Sequence, residues 1–341
     1  MDKFSPRLKN LFDINQFRPP ILQTFAQYDP QKWSGDWRAG INVALLAIPQ
    51  GMAYALVAGL PISYGLLGSA IAAILGGIFG GGRFVTLGPT NATAVLLFGV
   101  FASIGLIKSN GMGSEESLLL LPWVLIFTSI FLIVASILRI SFMIQFISRT
   151  VITAYVTAAA CLIIANQSKH LLGLQDTSGD IPTTFLEIII HTIYNLNLFS
   201  LPALILSVLT AFFYVILQRK FPSLPNVAIT LVISSLIAVG YEQIHWSVTC
   251  LDSFNLAGSF LTIPKVSTFA NQWETILSAA FAVSLLCLLE GLSIGKSLAA
   301  RAGSRINTNQ ETMSIGLGNL GCALLSGMPA SGSLTRSTLN V

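Results

Sequence analysis

The sequence predicts an all-α polytopic membrane protein, and three observations carry that prediction. Only 9 % of the 341 residues are charged while 53 % are hydrophobic, and soluble domains carry about 25 % charged residues. The mean hydropathy is +0.75. The apolar residues gather in long continuous runs, many near the ~20 residues that cross a ~30 Å hydrocarbon core as helix. Too little charge remains to coat a soluble surface. This excludes a cytosolic enzyme, a secreted disulfide scaffold and a disordered regulator. Membrane β-strands would read instead as alternating segments of about ten residues.

Residues 1–37 are polar and aromatic, punctuated by Pro6, Pro19, Pro20 and Pro30, with no apolar stretch of a signal peptide. Tyr28, Trp33 and Trp37 are expected as interfacial anchors before the first span. From residue 38 onward a transmembrane domain is expected. Its spans fall at about 39–59, 62–80, 88–107, 118–138, 149–167, 200–218, 226–241, 274–297 and 310–327, and a tenth begins near Ser333. Residues 183–198 are apolar but short and carry Glu187 and His191. They are expected as an interfacial helix, since at ~1.5 Å per residue they hardly cross the core. The basic residues test this count. With the N-terminus inside, fourteen of the eighteen Lys and Arg fall on the inner side and three on the outer. The bias sets orientation and leaves nucleic-acid binding without support. Cys161, Cys250, Cys287 and Cys322 lack metal-ligand spacing and read as small packing residues.

A shift of 240 positions matches unusual features. It pairs Leu45-Leu46 with Leu285-Leu286, Gln50-Gly51 with Glu290-Gly291, and Gly88-Pro89-Thr90-Asn91 with Met328-Pro329-Ala330-Ser331. Seven spans separate the copies, so they would have opposite orientation, as in many transporters. The segments 86–93 and 328–337 are rich in Gly, Pro, Ser and Thr beside apolar runs. Irregular backbone at membrane depth must line a cavity inside the protein. Two helices starting in mid-membrane, each with unpaired N–H groups and about half a positive charge at its N-terminus, would make an anion site. Arg336 would lie in the first turn of the tenth span. Placing it there costs about 2.5–3.5 kcal/mol, which a bound anion would offset. Snorkelling to water is the alternative. Glu290 is the acid expected deep in a span, as a proton carrier, a cation partner or an ion-pair partner of Arg336.

Other matches carry little. Gly316-Leu317-Gly318-Asn319-Leu320-Gly321 spells a dinucleotide fingerprint but lies in an apolar span without a preceding strand. No hydrolase, zinc-protease or P-loop motif occurs, so no enzyme activity and no cofactor are expected.

The segment Pro49-Gln50-Gly51-Met52-Ala53-Tyr54-Ala55 resembles the sulfate permease (SulP) family of anion transporters. So do Leu60-Pro61-Ile62-Ser63-Tyr64-Gly65-Leu66, Leu87-Gly88-Pro89, Leu289-Glu290-Gly291-Leu292-Ser293-Ile294 and Ser333-Leu334-Thr335-Arg336-Ser337. The resemblance runs from about Trp33 to Val341. It implies fourteen membrane segments in two inverted halves of seven. This chain would then hold an incomplete repeat, stopping in the tenth segment without the last four spans or the usual cytoplasmic STAS domain. A core domain (spans one to four and eight to ten) would carry the substrate like an elevator against a gate domain (spans five to seven), in a homodimer. The resemblance implies that Gln50 and Tyr54 line the site. Pro89, Thr90 and Asn91 would present backbone N–H groups from the third span, and Ser333, Thr335, Arg336 and Ser337 would do so from the tenth. Glu290 matches an acid linked to proton coupling in some members. The expected function is secondary active transport of a small inorganic anion across the cell membrane, sulfate first and bicarbonate second, with proton or sodium as coupling ion. The alternatives are a nucleobase permease of the same fold and a non-transporting anion-binding scaffold.

Overall fold

The computed structural model describes residues 19–108, 112–140, part of 150–174, 185–221, 226–243, 246, 248 and 261–340. Most of the fifth predicted span falls outside the described residues. The described helices are α1 (Pro20–Ala26), α2 (Trp33–Val57), α3 (Ile62–Phe79), α4 (Asn91–Ser103), α5 (Glu115–Ile137), α6 (Phe185–Tyr194), α7 (Leu201–Lys220), α8 (Asn226–Gln243), α9 (Val266–Arg301), α10 (Thr308–Leu324) and α11 (Leu334–Thr338). Two-residue strands β1 (Leu87–Gly88) and β2 (Ser331–Gly332) precede α4 and α11.

Five of the expected spans fold as long apolar helices. Among the described residues five helices are long and apolar enough to cross a membrane: the stretch through α2, then α3, α5, α7 and α9 from Gln272. The aromatic anchors are placed differently. Trp33 and Trp37 lie inside α2, which starts directly after the turn Pro30–Lys32, and both are exposed. Asp29 caps that turn by accepting from Gln31 N–H, and proline at the first position suits a helix start. Tyr28 then donates to Asp36 Oδ2 at 2.5 Å, fastening the entry. α6 has ten residues, or about 15 Å, and cannot cross.

Two apolar stretches depart from simple spans. α4 has only 13 residues, about 20 Å at 1.5 Å per residue, so it reaches partway across a ~30 Å core. It begins where the Gly-Pro-Thr sequence cannot continue a helix. α10 is wrapped by α3, α5, α9 and β1, so its polar Gln310, Glu311, Thr312, Ser314 and Asn319 are all buried. Its small residues permit this. A Cβ on Gly321 would lie 2.4 Å from Leu75 Cδ1 and 2.8 Å from Ile71 Cγ2 of α3.

Helices α2 to α5 and α9 to α11 pack as one body around a core that includes Leu97, Phe101, Leu121, Leu125, Ile276 and Leu292. α7 and α8 pack on each other, and α8 also touches α2. Gly51 and Gly65 let α2 and α3 approach backbone to backbone, because a Cβ on either would overlap the other's carbonyl. The loops sort into two ends. Gly113 N–H donates to Gly59 O, and Trp123 Nε1 donates to Lys265 O at 2.9 Å. At the other end Asn307 N–H donates to Gly81 O, and Ser136 Oγ donates to Asn309 O at 2.7 Å. This grouping matches the alternation the basic residues predict.

Candidate anion site

β1 and β2 pair antiparallel, Leu87 with Gly332 and Gly88 with Ser331, so the two irregular segments lie side by side. Ser333 N–H donates to Thr86 O and Ser337 Oγ accepts from Thr86 N–H at 2.9 Å, continuing the tie into α11. From below, Asn319 of α10 takes both sides of one peptide position. Its Nδ2 donates to Ala330 O at 2.8 Å and its Oδ1 accepts from Ala330 N–H at 3.0 Å. Ser331 Oγ donates to Cys287 O on α9 at 3.0 Å. The approach of β2 to α9 needs glycine, since a Cβ on Gly332 would lie 2.9 Å from Gly291 Cα.

Helix α4 starts at Asn91 with Thr90 as its cap. Thr90 Oγ1 accepts from Thr93 N–H, and Thr93 Oγ1 accepts from Thr90 N–H at 3.1 Å. This reciprocal cap is the capping-box arrangement with threonine at both positions. It corrects one expectation. Pro89 has no N–H to present, and the Thr90 N–H is spent on the cap. The first-turn donors left outside both cap and helix ladder are those of Asn91 and Ala92. Pro89 contributes its carbonyl instead, which accepts from Arg336 Nη2 at 2.5 Å.

Arg336 lies in α11, three residues past the cap residue Ser333, and is fully buried. Its Nε and Nη1 have no hydrogen-bond partner. The guanidinium donates to a carbonyl, and Glu290 acts on it electrostatically. Gly88 makes room for it, since a Cβ there would lie 2.5 Å from Nη1. Gln50 of α2 donates from Nε2 to Thr335 Oγ1 at 3.2 Å, and Thr335 Oγ1 shares a 3.3 Å hydrogen bond with Ser333 Oγ. Gln50 Oε1 and Asn91 Oδ1 are buried without partners. Glu290 is 8 % exposed and its Oε2 accepts from Thr90 Oγ1 at 2.9 Å. Tyr54 is half-buried, and both Arg336 and Glu290 act on it electrostatically. All ten residues singled out from the sequence therefore fall in or beside one cluster, with Ser337 turned into the strand tie.

Sequence reasoning missed three buried polar residues of α10 that tie it to neighbouring segments. Glu311 is buried in the first turn of α10 and accepts from Gly81 N–H at 2.8 Å and Gly82 N–H at 3.1 Å. Gln310 donates to Phe79 O at 2.7 Å. A helix-start signal was visible at Asn307, but its long-range partners were not. Asn319 was hidden inside the discounted glycine motif.

Residues 34–341 match the sulfate permease family. The chain belongs to that family. The putative sulfate transporter YvdB of Bacillus subtilis is 25 % identical over 324 residues, covering 93 % of this chain and 57 % of its own length. The sodium-independent sulfate anion transporter of Bos taurus is 29 % identical over 356 residues, covering 94 % and 56 %. This sulfate permease family chain thus spans about half the length of the curated relatives it matches. Its fold is that of SLC26A9, with a TM-score of 0.77 at 20 % identity over 99 % of this chain and 55 % of that one. The transmembrane domain of the cyanobacterial bicarbonate transporter BicA gives 0.74 at 19 % identity, covering 92 % and 77 %. The family is one of multi-pass membrane anion transporters, not enzymes.

Proposed function

We propose that this chain is the anion-binding part of a secondary active transporter for a small inorganic anion, sulfate first and bicarbonate second. The observation that carries this reading is Arg336, fully buried with Nε and Nη1 unpartnered beside the start of α4. Leaving a buried charge uncompensated costs several kcal/mol. An oxyanion held by Arg336 and the N–H groups of Asn91 and Ala92 compensates it, and the dipole of α4 adds to the attraction. Gln50, Tyr54, Ser333 and Thr335 would line the remaining sides. Sulfate ranks first because it stands in the names of several relatives. Bicarbonate follows from the name of one structural neighbour.

In the elevator reading, α2 to α5 with α9 to α11 form the moving core, and the fifth span with α7 and α8 forms the gate. The packing of the first set around one core supports that division. Glu290 would carry the coupling proton, with sodium the alternative. The working unit would be a homodimer in the cell membrane with its N-terminus in the cytoplasm. The decisive measurement is equilibrium binding of radiolabelled sulfate to the protein in lipid. Arg336→Ala is expected to weaken binding at least tenfold, about 1.4 kcal/mol. Arg336→Lys is expected to recover part of it, because an ammonium keeps the charge but not the fork. Affinity within about twofold of wild type in Arg336→Ala would place the site elsewhere.

A further inference from the structure

The Thr90 hydroxyl is shared between two neighbours. Its oxygen accepts from Thr93 N–H at 3.3 Å, its hydrogen goes to Glu290 Oε2 at 2.9 Å, and it lies 3.1 Å from Thr93 Oγ1, where either hydroxyl can donate. The Thr93 hydroxyl also has Thr90 O at 3.0 Å and Pro329 O at 3.5 Å as acceptors. A hydroxyl has one hydrogen and two lone pairs. While Glu290 is a carboxylate it can only accept, so it takes the one hydrogen Thr90 has. Pro89, the adjacent residue, holds Arg336 Nη2, which puts this hydroxyl and the half-paired guanidinium in one cluster.

From this geometry we infer that Thr90 is the residue through which Glu290 controls anion affinity. The inference rests on the anion-site reading above. When Glu290 takes a proton from water, its new O–H donates to the second lone pair of Thr90 Oγ1. The Thr90 hydrogen then turns to the anion as a further donor. When the anion leaves, the proton returns to water and the carboxylate recaptures the Thr90 hydrogen. The carboxyl O–H is the one covalent bond that forms and breaks. One proton and one anion thus favour each other's binding.

Charged and titratable groups on three elements act on Glu290. Arg336 on α11 and Tyr54 on α2 act on it directly, and Cys287 lies one turn back on α9. Cys322 of α10 acts in turn on Cys287. β2 brings only Ser331 and Gly332, and the acids of α5, Glu115 and Glu116, are exposed in its first turn. Thr90 is the α4 residue that reaches the carboxylate.

The test is sulfate affinity as a function of pH for the protein in lipid. Sulfate stays a dianion across the range, so any dependence belongs to the protein. Wild-type affinity is expected to fall as pH rises, approaching tenfold per unit above the titration of Glu290. Glu290→Gln supplies a permanent N–H donor to Thr90 and is expected to bind within about twofold of wild type at low pH, without pH dependence. Thr90→Val is expected to bind more weakly and also without pH dependence, and Thr90→Ser to restore both properties. The inference is overturned by a pH-independent wild type, by a wild-type pH slope in Thr90→Val, or by weak binding in Glu290→Gln. Should Thr90→Val fail to fold, Thr90→Ala takes its place with the same expected outcome. Arg336→Ala separates the two readings. If it binds sulfate as wild type does, the anion site itself is wrong. If it loses sulfate while Thr90→Val keeps the slope, the site stands and the Thr90 link falls.

Discussion

A single missing methyl group gives Arg336 its place. A Cβ on Gly88 would sit 2.5 Å from Nη1 and 2.8 Å from Cζ, and the guanidinium, buried on all sides, has little room to yield. Gly88→Ala is therefore expected to weaken sulfate binding at least tenfold, about 1.4 kcal/mol. Isothermal titration checks it, and unchanged affinity would mean that Arg336 does not bind from this position. At this scale the sequence was informative where a residue type contradicts its surroundings. An arginine and an acid inside apolar runs mark themselves, and so does proline beside threonine at a membrane-depth break. Roles were harder to read. Pro89 was expected to offer an N–H it does not have, and the Thr90 N–H is consumed by Thr93. Glu311 escaped notice because an acid in a first turn is an ordinary helix-start feature. Its partners, Gly81 and Gly82, lie more than 200 residues away.

Among the elements, the long apolar helices were legible because a ~30 Å core demands about 20 apolar residues in a row. The strands were not, because two residues carry no periodicity, and their pairing exists only between segments remote in the chain. The cap residues Thr90 and Ser333 stand 243 positions apart, not at the 240-residue shift that the apolar residues suggest. Asn319 is the strut under this arrangement. Asn319→Ala would orphan the buried N–H and C=O of Ala330, costing roughly 2–6 kcal/mol at ~1–3 per unsatisfied group. Thermal unfolding in detergent should show a clear drop in midpoint, and an unchanged midpoint would mean that Ala330 finds other partners. At the entry to α2, the hydrogen bond to Asp36 raises the Tyr28 phenol from 10.0 to about 12. A raised value means the tie holds below the ordinary tyrosine range and is lost as pH climbs through about 12. The difference between ultraviolet titrations of wild type and Tyr28→Phe should be one tyrosine ionising late. If that difference titrates near pH 10, a value of about 10 being that of free phenol, the tie is absent in solution.

For the whole molecule, the charge bias and the two sets of loop contacts agree on which turns share a side. Absolute orientation is testable with single reporter cysteines in an otherwise cysteine-free protein. Ser304→Cys is expected to react only from the cytoplasmic face and Ser114→Cys only from outside. The reverse pattern would invert the molecule without changing its fold. The β1–β2 pairing has a further consequence, during biosynthesis. Leu87 leaves the ribosome long before its partner Gly332 exists. At about 5–20 residues per second, the intervening 240-odd residues take roughly 12–50 s to make. Throughout that interval the start of α4 sits at the bilayer with its strand edge unpaired and no arginine beside Pro89. The nascent chain must shelter it with other contacts or with the insertion machinery. Substitutions at Gly88, Asn319 or Gly332 should then reveal themselves first as loss of mature protein through quality control, before any purified sample shows a change in affinity.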